Sequence, residues 1–128
     1  MIIAKSTDKA YLTEMTLEGT KVHPVYADQP VKSGGGGQDM RPGQLLLSSY
    51  AACINITLCQ LLKEENLPYE AVNVTVDMDN SEEGVTKLYR KIDIVSDIPQ
   101  EKKDALMERV KRCPVCKILN NRKEFYDL

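Results

Sequence analysis

The chain has 128 residues, 42% hydrophobic and 28% charged, with a formal net charge of -2. That is enough for one domain around one core, and the balance argues against a nucleic-acid binder, which needs a basic face. The longest apolar runs, about 45–47 and 50–53, are far short of a membrane span. Met1-Ile2-Ile3-Ala4-Lys5 has no signal-peptide build, so the expectation is a single domain over 1–128 in the cytoplasm, away from membranes.

In chain order, residues 11–18 predict a strand, with Tyr11, Met15 and Leu17 on one alternating face. Glu18-Gly19-Thr20 is a turn signal, and Val22 to Tyr26 predicts a short returning strand whose Pro24 places it at an edge. The run Gly34-Gly35-Gly36-Gly37 carries no packing side chains and predicts a flexible loop. It is no phosphate-binding loop, because no apolar strand precedes it and no Gly-Lys-Ser/Thr follows.

Pro42 suits a first helical turn, and 43–65 predicts one long helix on which Leu47, Tyr50, Ile54, Leu58 and Leu61 step by three or four. Asn66-Leu67-Pro68 is its stop. The segment 71–79 alternates, with Val72, Val74, Val76 and Met78 on one face. Leu88, Arg90, Ile92 and Ile94 alternate in turn, which predicts an antiparallel hairpin about 80–84. Pro99 opens a second helix that Pro114 breaks, with Cys113 as N-cap and Pro114 as first residue of a short third helix. A last short strand is expected at 124–128. The order gives an α+β class with antiparallel sheet, not a βαβ fold. One sheet covers only one side of the long apolar helix, so a second copy of the chain is expected on the other, in a homodimer.

Four cysteines, Cys53, Cys59, Cys113 and Cys116, suggest metal binding, redox chemistry or plain burial in a reducing compartment. Cys113-Pro114-Val115-Cys116 is the most specific local feature. A helix start and the bases Arg109, Lys111, Arg112 and Lys117 favour a thiolate there. Those bases equally complement the negative end of the preceding helix. A thioredoxin-like reading lacks its βαβ context. A four-cysteine zinc site lacks a second close pair, since Cys53 and Cys59 point about 120° apart on a helix at ~100° per residue. No metal and no cofactor is expected. His23 reads as a strand-edge surface residue.

The segment Arg41-Pro42-Gly43-Gln44-Leu45-Leu46-Leu47-Ser48-Ser49-Tyr50-Ala51-Ala52-Cys53 resembles the signature of the OsmC/Ohr family, and Cys113-Pro114-Val115 resembles that family's second motif. The resemblance covers most of the chain, most strongly 41–119. It implies an OsmC-like fold, in which antiparallel sheets wrap two long central helices in an intertwined homodimer. It also implies thiol-dependent reduction of organic hydroperoxides, a peroxidase activity in oxidative stress defence. Cys53 would be the peroxidatic residue and Cys113 the resolving one, with an external dithiol as reductant. The chain departs from the peroxidase pattern: no arginine precedes Arg41, and Gly43 and Gln44 occupy the acidic positions. Arg41 and Gln44 are then the candidates for substrate binding and thiolate stabilisation, with Lys21 a further cation. The alternatives are a low-turnover binding or stress-associated protein on the same fold, or a disulfide exchange protein using Cys113 and Cys116.

Overall fold

A computed structural model describes all 128 residues, Met1–Leu128. The order is β1 (Ile2–Ser6), β2 (Thr13–Leu17), β3 (Val25–Ala27), a 3-10 turn at Val31–Ser33, α1 (Pro42–Glu64), β4 (Ala71–Asp79), β5 (Lys87–Val95), α2 (Gln100–Val110) and α3 (Pro114–Asn120). Every strand pair is antiparallel, in one sheet of order β1-β2-β3 and one of β4-β5. The α+β class with antiparallel sheets is therefore as the sequence pattern predicts. The chain forms two compact units, Met1–Leu46 and Leu47–Leu128.

In the first unit, β2 is the central strand and β3 pairs with it alone, so Pro24 stands just outside an edge strand, where its missing N–H costs no ladder bond. Strand β1 was not anticipated. Its register, from Ile2 opposite Leu17 to Ser6 opposite Thr13, depends on a partner that local alternation does not reveal. Tyr11, expected in the strand, lies outside β2 because it takes a left-handed conformation, φ 63, in the connecting turn. The Thr7 N–H closes that turn on Leu12 O at 3.1 Å.

The glycine run is a close-packed turn and not a bare tether. A Cβ on Gly35 would lie 2.1 Å from Gln29 O and 2.6 Å from Asp28 Oδ1. The Gly37 N–H donates to Gln29 O at 3.1 Å, and Asp28 is buried. Missing side chains here permit backbone approach.

In the second unit, Tyr50, Ile54, Leu58 and Leu62 form the buried stripe of α1, and they pack with Val72, Ile94, Ile98, Leu106, Val110, Cys113 and Cys116. Ile54, Leu58 and Leu62 have no exposed surface. Burial of each such aliphatic side chain is worth about 1.5–3 kcal/mol. The helix ends as expected: Asn66 is left-handed at φ 53, Leu67 N–H reaches back to Leu62 O at 2.9 Å, and Pro68 follows. By length and composition α1 is apolar enough to cross a membrane, with mean hydropathy 1.7 over its best window. Inspection of unbroken runs misses this, because Ser48, Ser49, Asn55 and Thr57 interrupt the runs. In this fold its stripe builds the core.

Strands β4 and β5 pair so that Val72, Val74, Val76 and Met78 stand opposite Ile94, Ile92, Arg90 and Leu88. Helix α2 ends at Val110, and Cys113 takes the extended ψ of 151° that Pro114 imposes. The strand expected at 124–128 is absent. Phe125 and Tyr126 are exposed, and the contacts there are local, such as Tyr126 with Glu124 and Arg122 with Glu124. Without a neighbouring edge, alternation does not make a strand.

Candidate active site

Three of the four cysteines meet where the start of α3 packs on α1. Cys113 caps α3, and its sulfur accepts the Cys116 N–H at 3.4 Å. The next free N–H, that of Val115, donates to Cys53 Sγ, also at 3.4 Å. The missing N–H of Pro114 leaves these two donors to point at two sulfurs. The thiols themselves form a chain. Cys113 donates to the Cys116 sulfur at 2.6 Å, and Cys53 is near enough to Cys113 for each to shift the other's pKa. All are free thiols; Cys53 is half-buried, and Cys113 and Cys116 are buried.

The electrostatics correct one expectation. The helix start and local bases were expected to favour a Cys113 thiolate. Instead burial pushes the Cys113 thiol up, reinforced by its hydrogen bond to Cys116, while the Cys116 N–H and the Cys53 thiol pull it down. Cys113 is 1% exposed, and that desolvation outweighs the local donors. Cys53 is also pushed up, first by burial; the Val115 N–H and then the Thr57 hydroxyl oppose this by donating to its sulfur. Two of the four cations of the segment have other partners: Arg109 pairs with Glu65 and Glu64, and Lys111 with Glu108.

Beside the thiols lies a cavity of about 540 Å³ lined by Tyr50, Leu88, Arg90, Lys111, Cys116 and Leu119, among others. Burial pushes the Tyr50 phenol up, and the Arg90 guanidinium, hydrogen-bonded to it, acts in the opposite sense. Arg90 was overlooked as a site residue although its signal was visible. It occupies the apolar face of β5, between Leu88 and Ile92, where a charged residue needs a partner.

Arg41 and Gln44 belong to the first unit, where the Arg41 N–H donates to Gln44 Oε1 at 2.9 Å and both line a cavity with Pro30, Val31, Lys32 and Asp39. This is the reach-back half of a capping box at the start of α1. Lys21 and His23 are exposed. Cys59 points off the Cys53 face, as the helical spacing predicts, and contacts Asn55 Oδ1 at 3.7 Å and Tyr69.

A family model described as OsmC-like protein matches residues 35–126. Solved structures similar to this chain include an OsmC like protein from Mycoplasma pneumoniae, at 19% identity and TM-score 0.75, covering 94% of this chain and 86% of that one. An organic hydroperoxide resistance protein OsmC from Legionella pneumophila is similar at 22% identity and TM-score 0.65, covering 94% and 90%. The organic hydroperoxide resistance protein OhrB of Bacillus subtilis is similar at 21% identity and TM-score 0.64, covering 95% and 90%. No curated protein matches the chain significantly.

Proposed function

This chain belongs to the OsmC-like protein family, and from that premise we propose that it reduces organic hydroperoxides with its own thiols. The observation that carries the reading is that Cys53, distant in sequence, lies against the start of α3: its sulfur accepts the N–H of Val115, two residues beyond Cys113, at 3.4 Å, and the two thiols are near enough to shift each other's pKa. The names of the Legionella and Bacillus proteins support the same substrate class.

The chemistry follows from that contact. The Cys53 thiolate attacks the outer peroxide oxygen, the O–O bond breaks, and the alcohol leaves after taking a proton; Cys53 is then a sulfenic acid. The Cys113 sulfur attacks the Cys53 sulfur, water leaves, and a Cys53–Cys113 disulfide remains. An external dithiol returns both thiols and is itself oxidised to a disulfide. The Val115 N–H and Thr57 hydroxyl hold the Cys53 thiolate. Arg90 is a cation at the adjoining cavity, and Arg41 with Gln44 is the candidate pair that stands in where the chain departs from the family pattern. The working form is a homodimer in the cytoplasm, whose reducing pools keep such thiols available. Ile56, 57% exposed on the far side of α1 from its buried stripe, supports a second copy there. Light scattering at micromolar concentration is expected to give the dimer mass; a monomer mass removes that part of the proposal.

The test of function uses cumene hydroperoxide and the reduced protein. Cys113→Ser is expected to stall with a sulfenic acid on Cys53 that dimedone traps, and then to over-oxidise. Cys53→Ser is expected to consume hydroperoxide no faster than a free thiol. Fast consumption by Cys53→Ser would sink the assignment.

A further inference from the structure

Two thiols suffice for the reaction above, yet a third sulfur stands in line with them. Cys113 donates to Cys116 at 2.6 Å, and Cys53 accepts the N–H of Val115 from the same helical turn at 3.4 Å, so all three sulfurs gather at the start of α3. Cys113 is 1% exposed and Cys116 4%, so neither sulfur stands on the open surface and access to the pair is by way of a cavity. Cys116 lines the cavity that also holds Arg90 and Lys111.

We propose that Cys116 is the exit thiol of a three-cysteine relay: it takes the disulfide from Cys53–Cys113 and presents it, as Cys113–Cys116, to the external dithiol. The inference rests on the hydroperoxide-reductase reading, because that reaction supplies the first disulfide. In the exchange the Cys116 thiolate attacks the Cys113 sulfur and forms a new S–S bond. The Cys53–Cys113 bond breaks, and Cys53 leaves as a thiolate that takes up the proton Cys116 released. No net oxidation occurs in this step. The dithiol then reduces Cys113–Cys116 to two thiols and becomes a cyclic disulfide.

The local geometry suits the transfer. Cys113 and Cys116 occupy the cap and third position of one helical turn, where side chains three residues apart are neighbours. Their sulfurs are 2.6 Å apart. Arg90 at the cavity beside Cys116 favours the thiolate form of an incoming dithiol, which is the attacking species. The relay also frees Cys53 for the next hydroperoxide before the reductant arrives. Plain burial of a small apolar side chain explains why Cys116 is packed, but not why its sulfur adjoins both Cys113 and the cavity.

The experiment is a timed disulfide map of the full chain. Reduced protein receives one equivalent of cumene hydroperoxide, is quenched with N-ethylmaleimide, and is cleaved after Arg112 and Lys117, which isolates residues 113–117. Wild type is expected to show a Cys53–Cys113 cross-link first, replaced by a 113–117 peptide two hydrogens lighter than its reduced form. Cys116→Ser and Cys116→Ala are expected to retain the cross-link, and their turnover with dithiothreitol to fall by at least about tenfold. Cys59→Ser is expected to follow wild type. A wild-type cross-link that persists until dithiothreitol is added, with both Cys116 variants cycling at the wild-type rate, would overturn the relay. A second arm needs no hydroperoxide. Equilibrated in glutathione buffer, wild type is expected to hold Cys113–Cys116 and Cys116→Ser to hold Cys53–Cys113. Wild type holding Cys53–Cys113 there overturns the relay whatever hydroperoxide does. A Cys53 inert to hydroperoxide overturns the reductase reading, and the exchange step is then decided by the glutathione arm alone.

Discussion

Cys53 and Cys59 are the same residue on the same helix, both half-buried, yet they stand in different chemistry. Cys53 receives the Val115 N–H, and its neighbour Cys113 helps raise its pKa. Cys59 meets Asn55, whose Nδ2 is tied to Val72 O at 2.6 Å, and the Tyr69 hydroxyl, whose pKa its contact raises. A turn of about 120° between them, set by helical spacing, separates a thiol with a resolving partner from one held against an amide and a phenol. The difference teaches that cysteine type and burial do not by themselves assign redox chemistry. What distinguishes Cys53 is the start of α3 facing it, with a second thiol and a backbone donor already in place.

Arg90 gives the largest expected break in that contrast. If its charge supports the thiolate chemistry at the cavity, Arg90→Ala is expected to slow Cys53 oxidation by cumene hydroperoxide by about a hundredfold, the scale of losing one fixed electrostatic donor. Alkylation of Cys59 by iodoacetamide is expected to stay constant. The matching measurement on Arg41→Ala ranks the two cations. A large loss in Arg41→Ala with none in Arg90→Ala would move the stabilising charge to the first unit.

Much of this arrangement could be read from the sequence, and the gaps have physical causes. Helix α1, its Asn66-Leu67-Pro68 stop and the β4–β5 hairpin carry their own periodicity and stop signals, so local pattern suffices. Cys113 as the cap of α3 was legible for the same reason, since Pro114 dictates the backbone before it. Strand β1 was not, because a short exposed strand is defined by its partner. The tail at 124–128 failed in reverse: its alternation has no edge to join. The direction of the Cys113 shift was also out of reach. Cations nearby in sequence suggested a lowered pKa, whereas the desolvation that dominates comes from residues brought in by folding. Arg90 was legible and passed over, being the one charge on an otherwise apolar face.

The pH dependence gives the next effect in size. Burial raises the Cys53 thiol above the ordinary value of about 8.5, so its thiolate is scarcer at neutral pH than that of a free cysteine. Iodoacetamide alkylation of Cys53 is therefore expected to rise about tenfold per pH unit and to keep rising past about 8.5. A plateau below that value would show that the donors outweigh burial. The stability consequence has a fixed sign. Cys53 and Cys113 hold their protons more tightly when folded than when unfolded, so their contribution is fully present below about 8.5 and is lost as pH rises through the folded values. Urea midpoints measured at rising pH are expected to fall in that window. In Cys113→Ser the fall is expected to be smaller, because one of the raised groups is gone.

The smallest effect belongs to Cys59→Ser, and it is the strictest check on the contrast. The substitution keeps a short side chain with a donor, and a hydroxyl can still serve Asn55 Oδ1, which now accepts from Cys59 at 3.7 Å. Asn55 keeps its bond to Val72 O, so the link between α1 and β4 survives. The cost is the polarity of an oxygen at a half-buried site, set against a stronger hydrogen bond, and the two are expected to leave stability within about 1 kcal/mol of wild type. Cys59 shares no hydrogen bond with Cys53, Cys113 or Cys116 among those that build the thiol chain. Hydroperoxide turnover is accordingly expected to stay within about twofold, the kinetic equivalent of roughly 0.5 kcal/mol. Urea unfolding and steady-state turnover of the same preparation separate the two quantities. If stability holds and turnover collapses, Cys59 takes part in the chemistry, and the 120° between it and Cys53 does not isolate them. If stability falls by several kcal/mol, the Asn55 contact matters more to the fold than a weak sulfur bond explains, while the assignment of Cys53 stands.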